Sequence, residues 1–333
     1  MRSMTTITRR NFTLATLAGI GALTAPALVR QARAAASAVR LGFSYATPST
    51  LVIKEKGWLE EEFGAKGIAV EWTLSRGSNQ TLEFLRSGAI DFGASAGSAA
   101  LLGHANGAPN QVISWLSRGE STTLLALPDS GIKTLQDLRG KKVAATRATE
   151  PYLFLLRALA KEGIPATEVE VVPLQHPEGR LALESGQVDA WAALDPDFAI
   201  TEITRGSVPI YRDLSLITGG VLNVHKDFAT ENPDLVTAVL KANVRAVDYI
   251  KANPAEALAL YAAAGKLEQP VAERSFNRNV LDQFAITDAD VANLIAAGEA
   301  LRDTGSIPVG TDLAAATNSL LAGSYITQVL AAG

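Results

Sequence analysis

Ser95 lies in Gly93-Ala94-Ser95-Ala96-Gly97, the spacing of a strand-to-helix nucleophile elbow, and Asp195 and His225 follow in the chain order of α/β serine hydrolases. That constellation would do acyl transfer, with the imidazole taking the serine proton. Against it, few residues precede Ser95 to build the strands that normally come before such an elbow, and no His-Gly-Gly oxyanion segment lies upstream. The same five residues also read as a small-residue turn whose free backbone N–H groups open a helix.

The remaining chemistry is sparse. His104, His176 and His225 are far apart and in no metal-ligand spacing, so no metal site is expected. The chain of 333 residues contains no cysteine, which excludes disulfides, thiolate catalysis, Cys-ligated metals and lipid attachment through an N-terminal Cys. It has neither a phosphate loop ending in Lys-Ser or Lys-Thr nor a G-x-G-x-x-G turn, so no cofactor is expected. A net charge of −4 without a basic run argues against nucleic acid as a partner.

What stands out instead is a set of short loops rich in hydroxyls, amides and small residues: Ser44 to Pro48, Ser75 to Asn79, Ala94 to Ser98, Arg118 to Glu120 and Arg147 to Tyr152. Placed at helix N-termini around one crevice, they would offer short donors and dipoles to an anion. Arg76, Arg118, Arg147 and Arg180 lie in or beside them and could clamp a planar or tetrahedral anion, while Glu120, Glu150, Glu178 and Asp195 supply the opposite sign. The candidate ligand residues are Tyr45, Thr47, Arg76, Ser78, Asn79, Ser95, Ser98, Arg118, Arg147, Thr149, Glu150 and Asp195. Pro151 suits the first turn of a helix, which puts Thr149 or Glu150 at its cap.

The elements that must position these loops alternate, from Ala38 onward, between β-branched or apolar runs and helical stretches, the pattern of an α/β fold with largely parallel sheets. Strands are predicted over residues 39–43, 69–74, 91–94, 112–116, 122–127, 142–146, 168–174, 190–194 and 220–225, and helices dominate from Pro233 onward. An internal repeat organises them. Leu85-Arg86-Ser87-Gly88-Ala89-Ile90-Asp91 matches Leu183-Glu184-Ser185-Gly186-Gln187-Val188-Asp189, and Lys66-Gly67-Ile68 upstream matches Glu162-Gly163-Ile164. Each copy reads as a helix end, a Ser-Gly cap and an aspartate entering a strand. Two lobes follow, the first over residues 39–126 plus 219–333 and the second over 127–218, joined near Leu125 to Pro128 and Thr218 to Val221. Their strand ends would share a crevice where small ligands bind.

Residues 1–34 differ from the rest, with five arginines and no acid before Glu55. Thr8-Arg9-Arg10-Asn11-Phe12, an apolar stretch from Leu14 to Val29 and Ala32-Arg33-Ala34 read as a twin-arginine signal peptide with its cleavage site. The stretch is short for a membrane span, which needs about 20 residues. A free protein in the periplasm is expected.

Several segments together resemble the periplasmic substrate-binding proteins of ABC importers in the aliphatic sulfonate, taurine and nitrate group. They are Leu41-Gly42-Phe43, Gly57-Trp58-Leu59-Glu60, Leu85 to Gly93, the run Ile132-Lys133-Thr134-Leu135-Gln136-Asp137-Leu138-Arg139-Gly140-Lys141-Lys142-Val143-Ala144, and Gly186 to Pro196. The resemblance implies a two-lobed type II periplasmic binding protein fold hinged by two crossover segments. It also implies a small organic anion as ligand, an ABC transporter permease as partner and binding without reaction; the receptor is expected to be a monomer. The chain departs from that group where Ser-Gly and prolines give way to Ser75-Arg76-Gly77-Ser78-Asn79, where Thr-Gly-Asp becomes Ala94-Ser95-Ala96-Gly97, and where a Gly-Ser-Ser-like cradle becomes Arg147-Ala148-Thr149-Glu150. One alternative is therefore a zwitterion or a heterocycle such as a thiamine-precursor pyrimidine, read by Glu150 and Asp195. The other, of a different class, is a secreted serine hydrolase using Ser95.

Overall fold

The computed structural model describes residues 36–332, so the signal-peptide reading lies outside the described residues. Strands β1 (Ala38–Phe43), β2 (Ala69–Leu74), β3 (Phe92–Ala96) and β4 (Asn110–Gly119) belong to a first sheet, and β5 (Thr122–Ala126), β6 (Lys142–Ala144), β7 (Glu170–Val172), β8 (Ala190–Leu194) and β9 (Val208–Tyr211) form a second. β10 (Gly220–His225) and the two-residue β11 (Asn279–Val280) return to the first, giving the orders β11-β4-β10-β3-β1-β2 and β7-β6-β8-β5-β9.

The two sheets repeat one plan. In the first, β2, β1 and β3 run parallel and β10 lies antiparallel beside β3; in the second, β7, β6 and β8 run parallel and β5 lies antiparallel beside β8. The antiparallel strand of each sheet is thus supplied by chain arriving from the other. The first crossing falls at Glu120 and Ser121, not at Leu125 to Pro128, because Thr122 to Leu125 pair with Leu194 to Trp191 of the second sheet. The return crossing ends where Gly220 enters β10.

The sequence repeat has a physical basis. Asp91 accepts the Arg40 N–H through its carboxylate at 2.8 Å and donates its own N–H to the Arg40 carbonyl at 2.8 Å. Asp189 does the same with Lys142, both distances again 2.8 Å. Each aspartate therefore satisfies a first-strand amide that the ladder leaves open. The glycine three residues earlier, Gly88 or Gly186, takes φ of 70° or 73°, the left-handed turn that ends the helix.

Helices α1 (Pro48–Lys56), α2 (Trp58–Gly64), α3 (Ser78–Ser87) and α4 (Gly97–Ala105) follow strands of the first sheet. α5 (Glu150–Lys161), α6 (His176–Glu184) and α7 (Asp197–Arg205) follow β6, β7 and β8. Val39, Leu41, Phe92 and Val224 pack with Val52, Leu59 and Phe63 and with the 20-residue helix Pro233–Ala252. Around the second sheet, Val143, Leu124 and Ala190 pack with Leu153, Phe154 and Leu155 of α5. Each fully buried valine, leucine or phenylalanine side chain among them contributes about 1.5–3 kcal/mol. The C-terminal helices do not all return to the first sheet as expected: Leu301, Ile307 and Leu313 join the core of the second. β9 escaped the sequence because Pro209 interrupts its pattern, and it is tolerated because β9 is an edge strand. Among the described residues no helix is long and apolar enough to cross a membrane.

Candidate ligand-binding site

Because β1, β2, β3 and β6 are each followed by a helix, four strand-to-helix connections converge on one cleft, with about 650 Å³ of empty space including its open mouth. Ser44, Ala46 and Thr47 line it after β1; Gly77, Ser78 and Thr81 after β2; Ala94, Ser95 and Ala96 at the end of β3; Thr149, Glu150 and Pro151 after β6. The crossings complete it with Ser117, Ser121, Gly219 and Gly220, and Leu116 and Leu194 supply apolar wall.

The site is polar without being cationic. No lysine, arginine or histidine is among its lining residues. At α1, α3 and α5 the caps Thr47, Gly77 and Thr149 make no side-chain bond to first-turn amides. Those N–H groups and the helix dipoles remain available to an anion. Pro151 sits in the first turn of α5 behind Thr149, as its position in the sequence implied. By contrast α4 is spoken for, since Gly97 N–H donates to the Gly219 carbonyl and Ser98 N–H to Thr218 Oγ1.

Of the expected ligand residues, Thr47, Ser78, Ser95, Thr149 and Glu150 line the cleft. Ser98 lies just behind it, fully buried and 3.5 Å from Glu150 Oε1. Tyr45 is exposed and packs edge-on against Phe43. The arginines form no clamp. Arg76 is exposed. Arg118 pairs with Asp290 and covers the Trp115 ring at 4.9 Å. Arg147 stacks on Tyr152 and shares a separate groove with Asn79 and Arg86. Arg180 is held by Asp197 and Glu184. Asp195 is buried beside the cleft, where Arg278 bonds it at 2.9 Å. Arg118 looked free in the sequence because its partner is 172 positions away, whereas Arg180 is held partly by Glu184, four residues on.

Glu150 is the charged residue of the cleft wall. Thr218 donates to it twice, from Oγ1 to Oε2 at 2.5 Å and from N–H to Oε1 at 3.1 Å. Burial outweighs these donors and the charge of Arg157, and pushes its carboxyl up to about 7. The hydrolase constellation is not assembled. Ser95 Oγ donates to the Ala96 carbonyl and accepts from Asn223 Nδ2, while Asp195 is engaged by Arg278. Among the described residues no cluster of three or more His, Asp or Glu could hold a metal. Thr218, Ser117 and Ser121 went unnoticed as site residues; their one signal was proximity to the expected crossings.

Two α/β sheets that exchange strands across two crossings and share a ligand-sized cleft define a periplasmic-binding-protein fold. The alkanesulfonate-binding protein of Xanthomonas axonopodis pv. citri, solved bound to MOPS, superposes with a TM-score of 0.78 at 25% identity, covering 85% of this chain and 99% of that one. A Bacillus subtilis protein named as aliphatic sulfonates-binding is 31% identical over 238 residues, 71% of this chain and 72% of the relative. Its Escherichia coli counterpart is 26% identical over 86% of this chain and 89% of its own length. Residues 47–257 match the NMT1/THI5 like family, and the chain belongs to it.

Proposed function

We propose that this chain is the extracytoplasmic solute receptor of an ABC importer and that its cleft holds a small organic sulfonate, binding it without transforming it. The observation that carries this reading is the convergence of three uncapped helix N-termini and a rim of serine and threonine hydroxyls on a cleft with no cationic side chain. A sulfonate stays ionised at any physiological pH and spreads its charge over three oxygens, so several neutral donors serve it well. The relatives named for aliphatic sulfonates support the same ligand class.

In this reading the first lobe runs to β4 and resumes at β10, the second lies between the crossings, and closure is a hinge motion about Glu120 to Ser121 and Ile217 to Gly219. The receptor works in the periplasm as a monomer, delivered by the twin-arginine signal of its first 34 residues, and passes its cargo to a permease. A thermal-shift screen with alkanesulfonates, taurine, nitrate, sulfate, amino acids and pyrimidines tests the ligand class. A ligand at 100 times its Kd adds about 2.7 kcal/mol of stability. A rise in Tm confined to sulfonates is expected; a response only to pyrimidines or amino acids would overturn the ligand, and product formed from a bound sulfonate would overturn the receptor.

A further inference from the structure

A second groove takes walls from both lobes and shares no lining residue with the cleft, with about 920 Å³ of empty space including its open mouth. Leu82, Glu83 and Arg86 reach it from one face of α3, and Leu102 from α4. Arg147, Ala148 and Tyr152 bring the second lobe to it. Here, unlike in the cleft, there are two guanidinium groups. Arg86 makes one hydrogen bond, to the Asn106 carbonyl at 3.3 Å, and Arg147 lies 5.7 Å over the Tyr152 ring. Neither meets a carboxylate: Glu83 lines the groove one turn before Arg86 without bonding it, and no other acid lines it.

The backbone turns Arg147 towards this groove at a cost. Ala148 has φ of 59°, a left-handed conformation that disfavours residues other than glycine. Lys266, the other described non-glycine residue of this kind, ends a helix, where such a conformation is usual; Ala148 ends none. Thr149 Oγ1 donates to the Thr146 carbonyl at 2.6 Å and closes the turn, so that Thr149 lines the cleft while Arg147 and Ala148 line the groove. Strain of this kind gathers at ligand sites.

We propose that Arg86 and Arg147 form a second anion site, outside the cleft, that takes a small soluble phosphate monoester with an apolar body. Two guanidiniums against one carboxylate leave the groove positive, which suits a head of two negative charges, and each planar fork matches a pair of phosphate oxygens. Both arginines are exposed, so their long side chains can turn to one head, while Leu82 and Leu102 offer the body an apolar floor. The cleft does not compete for such a ligand, because a dianion there would face Glu150 with no cation beside it. The site goes beyond the receptor reading and does not depend on what the cleft holds.

Calorimetric titration with phenyl phosphate of protein already saturated with ethanesulfonate tests it, at about pH 8, where the ester carries two charges. One equivalent is expected to bind. Arg86→Gln and Arg147→Gln, checked for folding by circular dichroism, should each weaken phenyl phosphate at least about tenfold and change ethanesulfonate affinity by less than about twofold. Methyl phosphate, with the same charge and little apolar surface, should bind more weakly than phenyl phosphate. No binding to the saturated protein, or binding that survives both substitutions combined, would overturn the site, and equal binding of the two esters would overturn the apolar half of its ligand. Should ethanesulfonate itself not bind, the sulfonate reading falls, while the dependence of phenyl phosphate on the two arginines still decides for or against the groove.

Discussion

Glu150 and Thr218 join the first turn of α5 to the return crossing: the threonine hydroxyl and amide both donate to one buried carboxylate, at 2.5 Å and 3.1 Å. The same hydroxyl accepts the Ser98 N–H of α4. A single acid thus ties elements of both sheets together at the floor of the cleft, and its protonation state bears on folding and on binding.

The folding consequence has a definite sign. The carboxyl titrates near 7 in the folded chain and near its ordinary value of 4.5 when unfolded, so between those limits the folded state holds the extra proton. Its contribution is therefore lost as pH rises from about 4.5 to 7, on the order of 3 kcal/mol in all. Glu150→Gln should flatten the pH dependence of urea unfolding between pH 5 and 8 relative to the unaltered protein. An identical slope in both would show that Glu150 ionises normally.

Binding should follow the same proton. An alkanesulfonate without an amino group meets less repulsion when Glu150 is neutral, so its affinity should fall as pH rises through 7, by at most about tenfold per pH unit for one linked proton. Titration calorimetry at pH 6 and 8 should show this loss, and Glu150→Gln should abolish it. Affinity that rises with pH would contradict the placement of the anion near Glu150.

Arg278 is a second fastening. It bonds Asp195 at 2.9 Å, pairs with Glu202 and lies 3.7 Å over the Phe198 ring, joining the segment before β11 to the end of β8 and to α7. Burial pushes Asp195 up to about 6 even with this partner. Arg278→Ala would leave a buried acid alone and should cost about 3 kcal/mol in denaturant unfolding. A loss below about 1 kcal/mol would show that solvent reaches the pair.

Gly179 marks close packing of α6 on the second sheet. A methyl group there would stand 2.6 Å from Nε1 of the fully buried Trp191. Gly179→Ala should therefore destabilise by about 1–3 kcal/mol despite alanine's better helix propensity. A stabilised variant, read as a higher Tm, would contradict that packing.

Local signals were legible in the sequence and distant pairings were not. The Ser-Gly cap followed by an aspartate at Asp91 and Asp189 announced the repeat because cap, turn and strand entry fall within a few residues. β2, β8 and β10 were bounded as observed. The fate of Arg118 depends on Asp290, 172 positions away, and that of Asp195 on Arg278, 83 away, so neither could be distinguished from a free ligand-binding charge. The crossing at Glu120 and Ser121 was misplaced for a related reason: Thr122 to Ala126 reads as a strand in either sheet, and only its pairing with β8 decides.

The most direct test is a crystal structure of the protein with an alkanesulfonate. The sulfonate oxygens should lie within hydrogen-bond distance of the first-turn amides of α1, α3 or α5 and of hydroxyls such as Thr47, Ser78 or Thr149, with the alkyl chain towards Leu116 and Leu194. A sulfonate found instead on Arg76 or Arg147, with the cleft holding none, would contradict recognition of the anion by neutral donors.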